Sequence, residues 1–118
     1  MKYTIEKNDN IAVFTLKNKN LTSEISAKFK AELLILCQPD LRALVLDLTN
    51  VEYIDSLGLG SLLLAHRQMK DYGIPVYMVG IQDMVMNMLR ISRMADLFVF
   101  TNTVDEALDM IEKENEQI

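Results

Sequence analysis

Residues 45–63 read VLDLTNVEYIDSLGLGSLL, and the order of chemistry along them decides the architecture. The apolar run begins earlier, at Ala43-Leu44-Val45-Leu46, and continues through Asp47-Leu48. It is too short and too uniformly apolar for a surface helix and fits a strand buried on both faces, which requires helices or another layer around it. A loop then ends in Asp55-Ser56. From Leu57 to Tyr72 a second apolar pattern, Leu59, Leu62, Leu63 and Met69, stops at Gly73 with Pro75 two residues later, the signature of a helix and its C-terminus. A buried strand that leads into a helix is the building unit of a parallel sheet.

The same alternation extends in both directions. Toward the N-terminus, residues 2–7 and the β-rich run Ile11 to Leu16 flank the turn residues Asn8-Asp9-Asn10 and predict a hairpin. Ile25, Phe29, Leu33 and Leu36 recur at helical spacing before Pro39 stops that helix. Toward the C-terminus, Val76 to Val79 predicts a strand, Gln82 to about Ile91 a helix with Val85, Met88 and Leu89 on one side, and Leu97 to Phe100 a last strand. Thr103-x-x-Glu106 matches a capping box that opens a final helix through Ala107, Leu108 and Ile111. The expected fold class is α/β, one domain over residues 1–118, with a mixed, mostly parallel sheet, an N-terminal hairpin and about four helices.

Composition narrows the function. With 12 basic against 17 acidic residues the chain carries a net charge of −5, which disfavours nucleic acid and anionic membrane as partners. Residues 95–118 hold seven acids and one Lys, so the acidity is expected on a solvated face of the last helix. No window approaches the roughly 18 apolar residues of a spanning helix. The single cysteine, Cys37, fits a reducing compartment, so a cytoplasmic location is expected.

Catalytic equipment is sparse: there is no phosphate-binding glycine loop, no second histidine and no cysteine cluster, so neither catalytic residues, nor a cofactor, nor a metal is assigned. His66 reads as a packing residue at the core boundary and Cys37 as a small buried hydrophobe. Five of the eight methionines fall between Met78 and Met94 and read mainly as core filling, with Met86 off the apolar stripe and expected to be exposed.

Attention therefore returns to Asp55-Ser56-Leu57-Gly58-Leu59-Gly60. Asp55 or Ser56 can cap the helix, but two glycines in a first turn each cost about 1 kcal/mol relative to Ala and need a reason. Missing β-carbons at Gly58 and Gly60 would let a partner's surface approach the backbone and reach the Ser56 hydroxyl. A phosphate there would bring about −1.5 to −2 charge to a helix N-terminus that tolerates anions.

With these residues in view, VLDLTNVEYIDSLGLGSLL resembles the central signature of STAS domains, in particular the bacterial anti-sigma factor antagonists. IPVYMVGIQDMVMNMLRISRMADLF and TNTVDEAL follow in the order of that family. The resemblance implies phosphorylation of Ser56 by an anti-sigma factor with serine kinase activity. The unphosphorylated form would bind that kinase and free the sigma factor, and a phosphoserine phosphatase would restore it. It also implies a partner surface built from Asp55, Ser56, Leu57, Gly58, Leu59 and Gly60 together with Asn20 and Thr22. Where the family commonly has a Gly-acidic-aliphatic-Asp element, this chain has Lys19-Asn20-Leu21-Thr22, so the glycine and both acids are absent, while Thr22 is expected to cap the first helix. Ser61 is a second hydroxyl candidate. A non-phosphorylated STAS scaffold, docking within a signalling or lipid-transport complex, is the alternative. An enzyme or small-molecule sensor has less support, because Asp47 and Asp55 lie at opposite ends of the strand-loop segment and the motif holds no histidine.

Overall fold

The computed structural model describes residues 1–116, with side chains in the last helix through Glu114. In chain order the elements are β1 (Tyr3–Asn8), β2 (Ile11–Leu16), β3 (Asn20–Leu21), α1 (Ser23–Leu36), β4 (Ala43–Asp47), β5 (Tyr53–Ile54), α2 (Ser56–Lys70), β6 (Val76–Val79), α3 (Asp83–Ile91), a 3-10 turn (Ala95–Leu97), β7 (Val99–Thr101) and α4 (Val104–Glu116). The four helices and the α/β class follow the sequence expectation.

The main sheet has five strands in the order β1-β2-β4-β6-β7. Among the described residues its only antiparallel pair is the β1–β2 hairpin, closed by Asp9 and Asn10, both at positive φ (53° and 60°) as a two-residue hairpin loop requires. The other pairs are parallel. One sheet face carries the larger core, where Phe14 meets Phe29 of α1 edge-on at 5.1 Å, and Leu59, Leu62 and Ala65 of α2 and Val85 and Leu89 of α3 are also buried. The other face carries a smaller cluster, Ile11, Ala43, Val45, Tyr77 and Val79, under Ala107 and Ile111 of α4. Central strands β4 and β6 are thus covered on both sides, which explains the continuous apolar runs read from the sequence.

Three expectations are corrected. Two strands of two residues each, β3 and β5, form a separate small parallel sheet that the sequence pattern did not reveal. The last strand does not begin at Leu97. Arg93 turns the chain at φ 57°, Leu97 N–H donates to the Met94 carbonyl (3.1 Å), and pairing with β6 starts only at Val99 opposite Tyr77. Thr22 stands at the N-cap of α1, but its side chain makes no capping bond.

Several local expectations find physical counterparts, although Met86, expected to be exposed, is only partly so. Gly73 (φ 68°) ends α2 in the left-handed conformation open to glycine. The α4 capping box forms, with Glu106 N–H donating to Thr103 Oγ1 (3.1 Å) and the Glu106 carboxylate reaching back to Asn102 N–H (3.0 Å). Cys37 is buried, and burial pushes its thiol up to about 11, away from nucleophilic use at neutral pH. Met78 and Met94 are buried, Met84 and Met88 pack against the core, and Met86 is half-buried. Asp105, Glu106, Asp109, Glu112 and Glu114 are exposed along α4; the side chain of Glu116 lies outside the described residues.

Tyr77 is fully buried, and its hydroxyl has no hydrogen-bond partner among the described residues. Removing an unsatisfied buried hydroxyl relieves its desolvation penalty. Tyr77→Phe is therefore expected to stabilise the fold by about 1 kcal/mol in urea unfolding, and a loss of stability would contradict the burial of a lone hydroxyl.

Candidate functional site

Two loops that are distant in sequence are brought together by the β3–β5 pair. Asn20 lies opposite Tyr53 and Leu21 opposite Ile54. Glu52 N–H donates to the Lys19 carbonyl (2.7 Å), and Asp55 N–H donates to that of Leu21 (3.3 Å). The stretch Lys19 to Thr22 is thereby fixed beside the start of α2, so Asn20, Thr22 and Asp55 to Gly60 occupy one corner of the molecule.

Asp55 organises that corner. Its Oδ1 accepts from Gly58 N–H (2.8 Å) as the N-cap of α2, and its Oδ2 accepts from Ser23 N–H (2.9 Å) at the first residue of α1. One carboxylate therefore caps two helices and takes over the role expected of Thr22. The Gly58 hydrogen bond, followed by that from Ser23, holds its carboxyl below the usual range for an aspartate.

The glycines divide. A β-carbon on Gly58 would lie 2.1 Å from the Leu21 carbonyl oxygen and 2.7 Å from an Ile54 side-chain carbon, so this glycine serves an internal close approach and not access from outside. Gly60 has nothing within 4 Å of the corresponding position and alone retains the open space first read at both. Leu59 is buried in the core. Ser61 is fully buried, and its hydroxyl donates to the Leu57 carbonyl (3.1 Å), which leaves it inaccessible.

Ser56 is the contrary case. It is exposed at the first position of α2, and its hydroxyl has no partner among the described residues. Tyr53 and Leu57, each 49% exposed, flank it with apolar surface. Tyr53 was not singled out from the sequence; its place in an apolar-looking motif concealed its outward orientation. Asp47 turns back on its own loop, accepting from Thr49 N–H (3.1 Å) and Thr49 Oγ1 (2.6 Å). His66 packs edge-on against Phe98 at 5.9 Å, as a boundary residue does. No group of three His, Cys, Asp or Glu among the described residues is placed to hold a metal ion, and no helix among them is long and apolar enough to cross a membrane.

Fold and site together define an α/β domain that presents an exposed serine, Ser56, between apolar neighbours at the start of a helix. The sequence profile of the STAS domain matches residues 2–107, and the chain belongs to that family. Among solved structures, it is similar to an anti-sigma-factor antagonist (STAS) domain protein from Planctomyces limnophilus, with TM-score 0.84 and 16% identity over 93% of this chain and 97% of that one. It is also similar to the phosphorylated form of the Bacillus cell fate determinant SpoIIAA (TM-score 0.74, 15% identity, 93% and 99% covered). A third is RsbS from Moorella thermoacetica carrying a serine-to-glutamate substitution (TM-score 0.78, 21% identity, 98% and 99% covered).

Substitutions separate these roles. Gly58→Ala is expected to destabilise by about 1–3 kcal/mol through overpacking, whereas Gly60→Ala is expected to stabilise by about 1 kcal/mol through helix propensity, both read by urea unfolding. Asp55→Ala should lower the melting temperature by several degrees at pH 7. Because the folded-state pKa of Asp55 is depressed, the stabilisation is complete above the unfolded value of about 3.9 and disappears as pH falls through the lower folded value. The two melting curves should therefore converge in strong acid, and a constant offset at every pH would contradict the capping role of the charge.

Proposed function

We propose that the chain is an anti-sigma factor antagonist switched by phosphorylation at Ser56. In the unphosphorylated state it binds an anti-sigma factor with serine kinase activity, and the sigma factor is released. The kinase transfers the terminal phosphoryl group of a nucleoside triphosphate to Ser56 Oγ, the hydroxyl proton leaves, and the nucleoside diphosphate departs. A phosphoserine phosphatase hydrolyses the ester with water and restores the binding form. The reading is supported above all by the exposed, unpartnered Ser56 hydroxyl at the start of α2. The names of the similar structures point the same way.

The local electrostatics explain how one modification acts as a switch. Two of the backbone donors that would otherwise receive an anion, Gly58 N–H and Ser23 N–H, are held by Asp55. A phosphate of about −1.5 to −2 charge on the adjacent residue is repelled by that carboxylate and stays on the surface, where it meets the docking partner. A surface that accepts Tyr53, Leu57 and a neutral hydroxyl then faces like-charge repulsion and the desolvation of a dianion. Asn20 and Thr22 border the serine at the two positions where the family pattern has acids, and Lys19 replaces its glycine, so the partner face opposite them is expected to be less basic than that pattern would demand.

Ser56→Asp is expected to weaken binding to the anti-sigma kinase by about tenfold or more while Ser56→Ala retains it, as measured by calorimetry. Kinase and nucleoside triphosphate should add one phosphate to the intact mass of the wild type and none to Ser56→Ala. Equal binding by both variants, or phosphate incorporation into Ser56→Ala, would remove the switch.

A further inference from the structure

Strands β4, β6 and β7 are parallel, so their carboxyl ends share one edge of the sheet, the edge from which the Ser56 loop departs. Along the same edge, the ends of β6 and β7 and the starts of α3 and α4 enclose a cavity of about 170 Å³ lined by Ile81, Met86, Phe100, Thr101, Asn102 and Glu106. Sites for drug-sized ligands are roughly 300–1,000 Å³, so this one accommodates a single side chain better than a nucleotide.

Its chemistry is one-sided. Phe100, Met86 and Ile81 supply apolar walls, and Glu106 supplies a carboxylate. No Lys, Arg or His lines the cavity, and Glu106 makes no ion pair among the described residues. The capping bonds fix that carboxylate in place: Oε2 accepts from Asn102 N–H, and Glu106 N–H is taken by Thr103 Oγ1. Two N–H groups at the start of α4 that would repel a cation are thus already engaged. A planar cation can pair with Glu106 and stack on Phe100, while the thioether of Met86 adjusts to its stem.

We propose that this cavity is a second anchor point for the protein partner and receives the guanidinium of an arginine side chain. The source of that arginine rests on the reading of Ser56 as a docking point; the cavity's preference for a guanidinium does not.

The test uses the full chain, ¹⁵N-labelled, titrated with N-acetyl-arginine methylamide and, separately, with its uncharged citrulline counterpart. Saturating shifts are expected at the Asn102 and Glu106 amides with the arginine compound, with affinity about fivefold weaker or worse for citrulline and for Glu106→Gln. Gln preserves the capping acceptor, so the variant is expected to fold. Ser56→Asp should leave this titration unchanged, which separates failure of the cavity from failure of the serine switch. The absence of saturable shifts, or equal affinity for citrulline or in Glu106→Gln, overturns the guanidinium site. An anti-sigma kinase that binds Glu106→Gln as tightly as wild type overturns its docking role.

Discussion

The carboxylate of Asp55 is the constraint on which the functional corner depends. Each helix start leaves backbone N–H groups without intrahelical partners, and here two such starts converge on one acid that donates nothing and accepts at both oxygens. The consequence reaches both elements, because α1 and α2 cannot shift independently without leaving a donor unpaired. It also accounts for Gly58, since the backbone carbonyl of Leu21 must come close enough to bond Asp55 N–H and thereby fills the space a β-carbon would need. Ser56, the next residue after the shared cap, is left pointing away from all of this, with no internal bond to compete for its hydroxyl.

The sheet supplies the platform. Parallel strands place all their carboxyl ends on one edge, so loops from β4, β6 and β7 become neighbours although they are far apart in the chain. Burial of β4 and β6 beneath helices on both faces keeps that edge rigid, and β2, parallel to β4, delivers the segment from Lys17 to Thr22 to the same edge, while β1 extends the sheet antiparallel on its far side. The polar and functional groups concentrate where the strands end: Asp47 braces Thr49, the small β3–β5 sheet fixes the serine loop, and the capping box of α4 positions Glu106.

What could be read from the sequence follows from how local each feature is. Runs such as Ala43 to Leu48 and the pattern from Leu57 to Met69 declare themselves, because burial on one or two faces is written in consecutive residues. The α4 capping box is visible for the same reason, with its partners three or four positions apart. The bond from Ser23 to Asp55 spans 32 positions, and nothing in either neighbourhood announces it; Thr22 looks like an adequate cap until the carboxylate is seen in its place. Strands of two residues, such as β3 and β5, are too short to show alternation. Gly58 and Gly60 are indistinguishable by type, yet one is required by a carbonyl 2.1 Å from its missing β-carbon and the other is open. Leu97 to Phe100 reads as a strand by composition, but where pairing starts is set by β6, a tertiary condition.

The distribution of charge links these features to the switch. Most of the net negative charge is carried on α4, which covers the sheet face opposite α2. At about 10 Å per layer, the body of α4 lies roughly 20 Å from α2, well beyond the Debye length of about 8 Å at physiological ionic strength. Asp109, Glu112 and Glu114 therefore contribute little to the potential at Ser56, and only the first turn of α4, with Asp105 and Glu106, begins at the same edge as the serine loop. The field that a partner meets at Ser56 is set by the charges of its own corner: Lys19, Glu24, Glu52 and Asp55. Lys19 offsets one of the two exposed glutamates, and the charge of Asp55 is already engaged by two N–H groups. Against so small a local balance a phosphate dominates, and a protein with a large total negative charge can still respond sharply to one more.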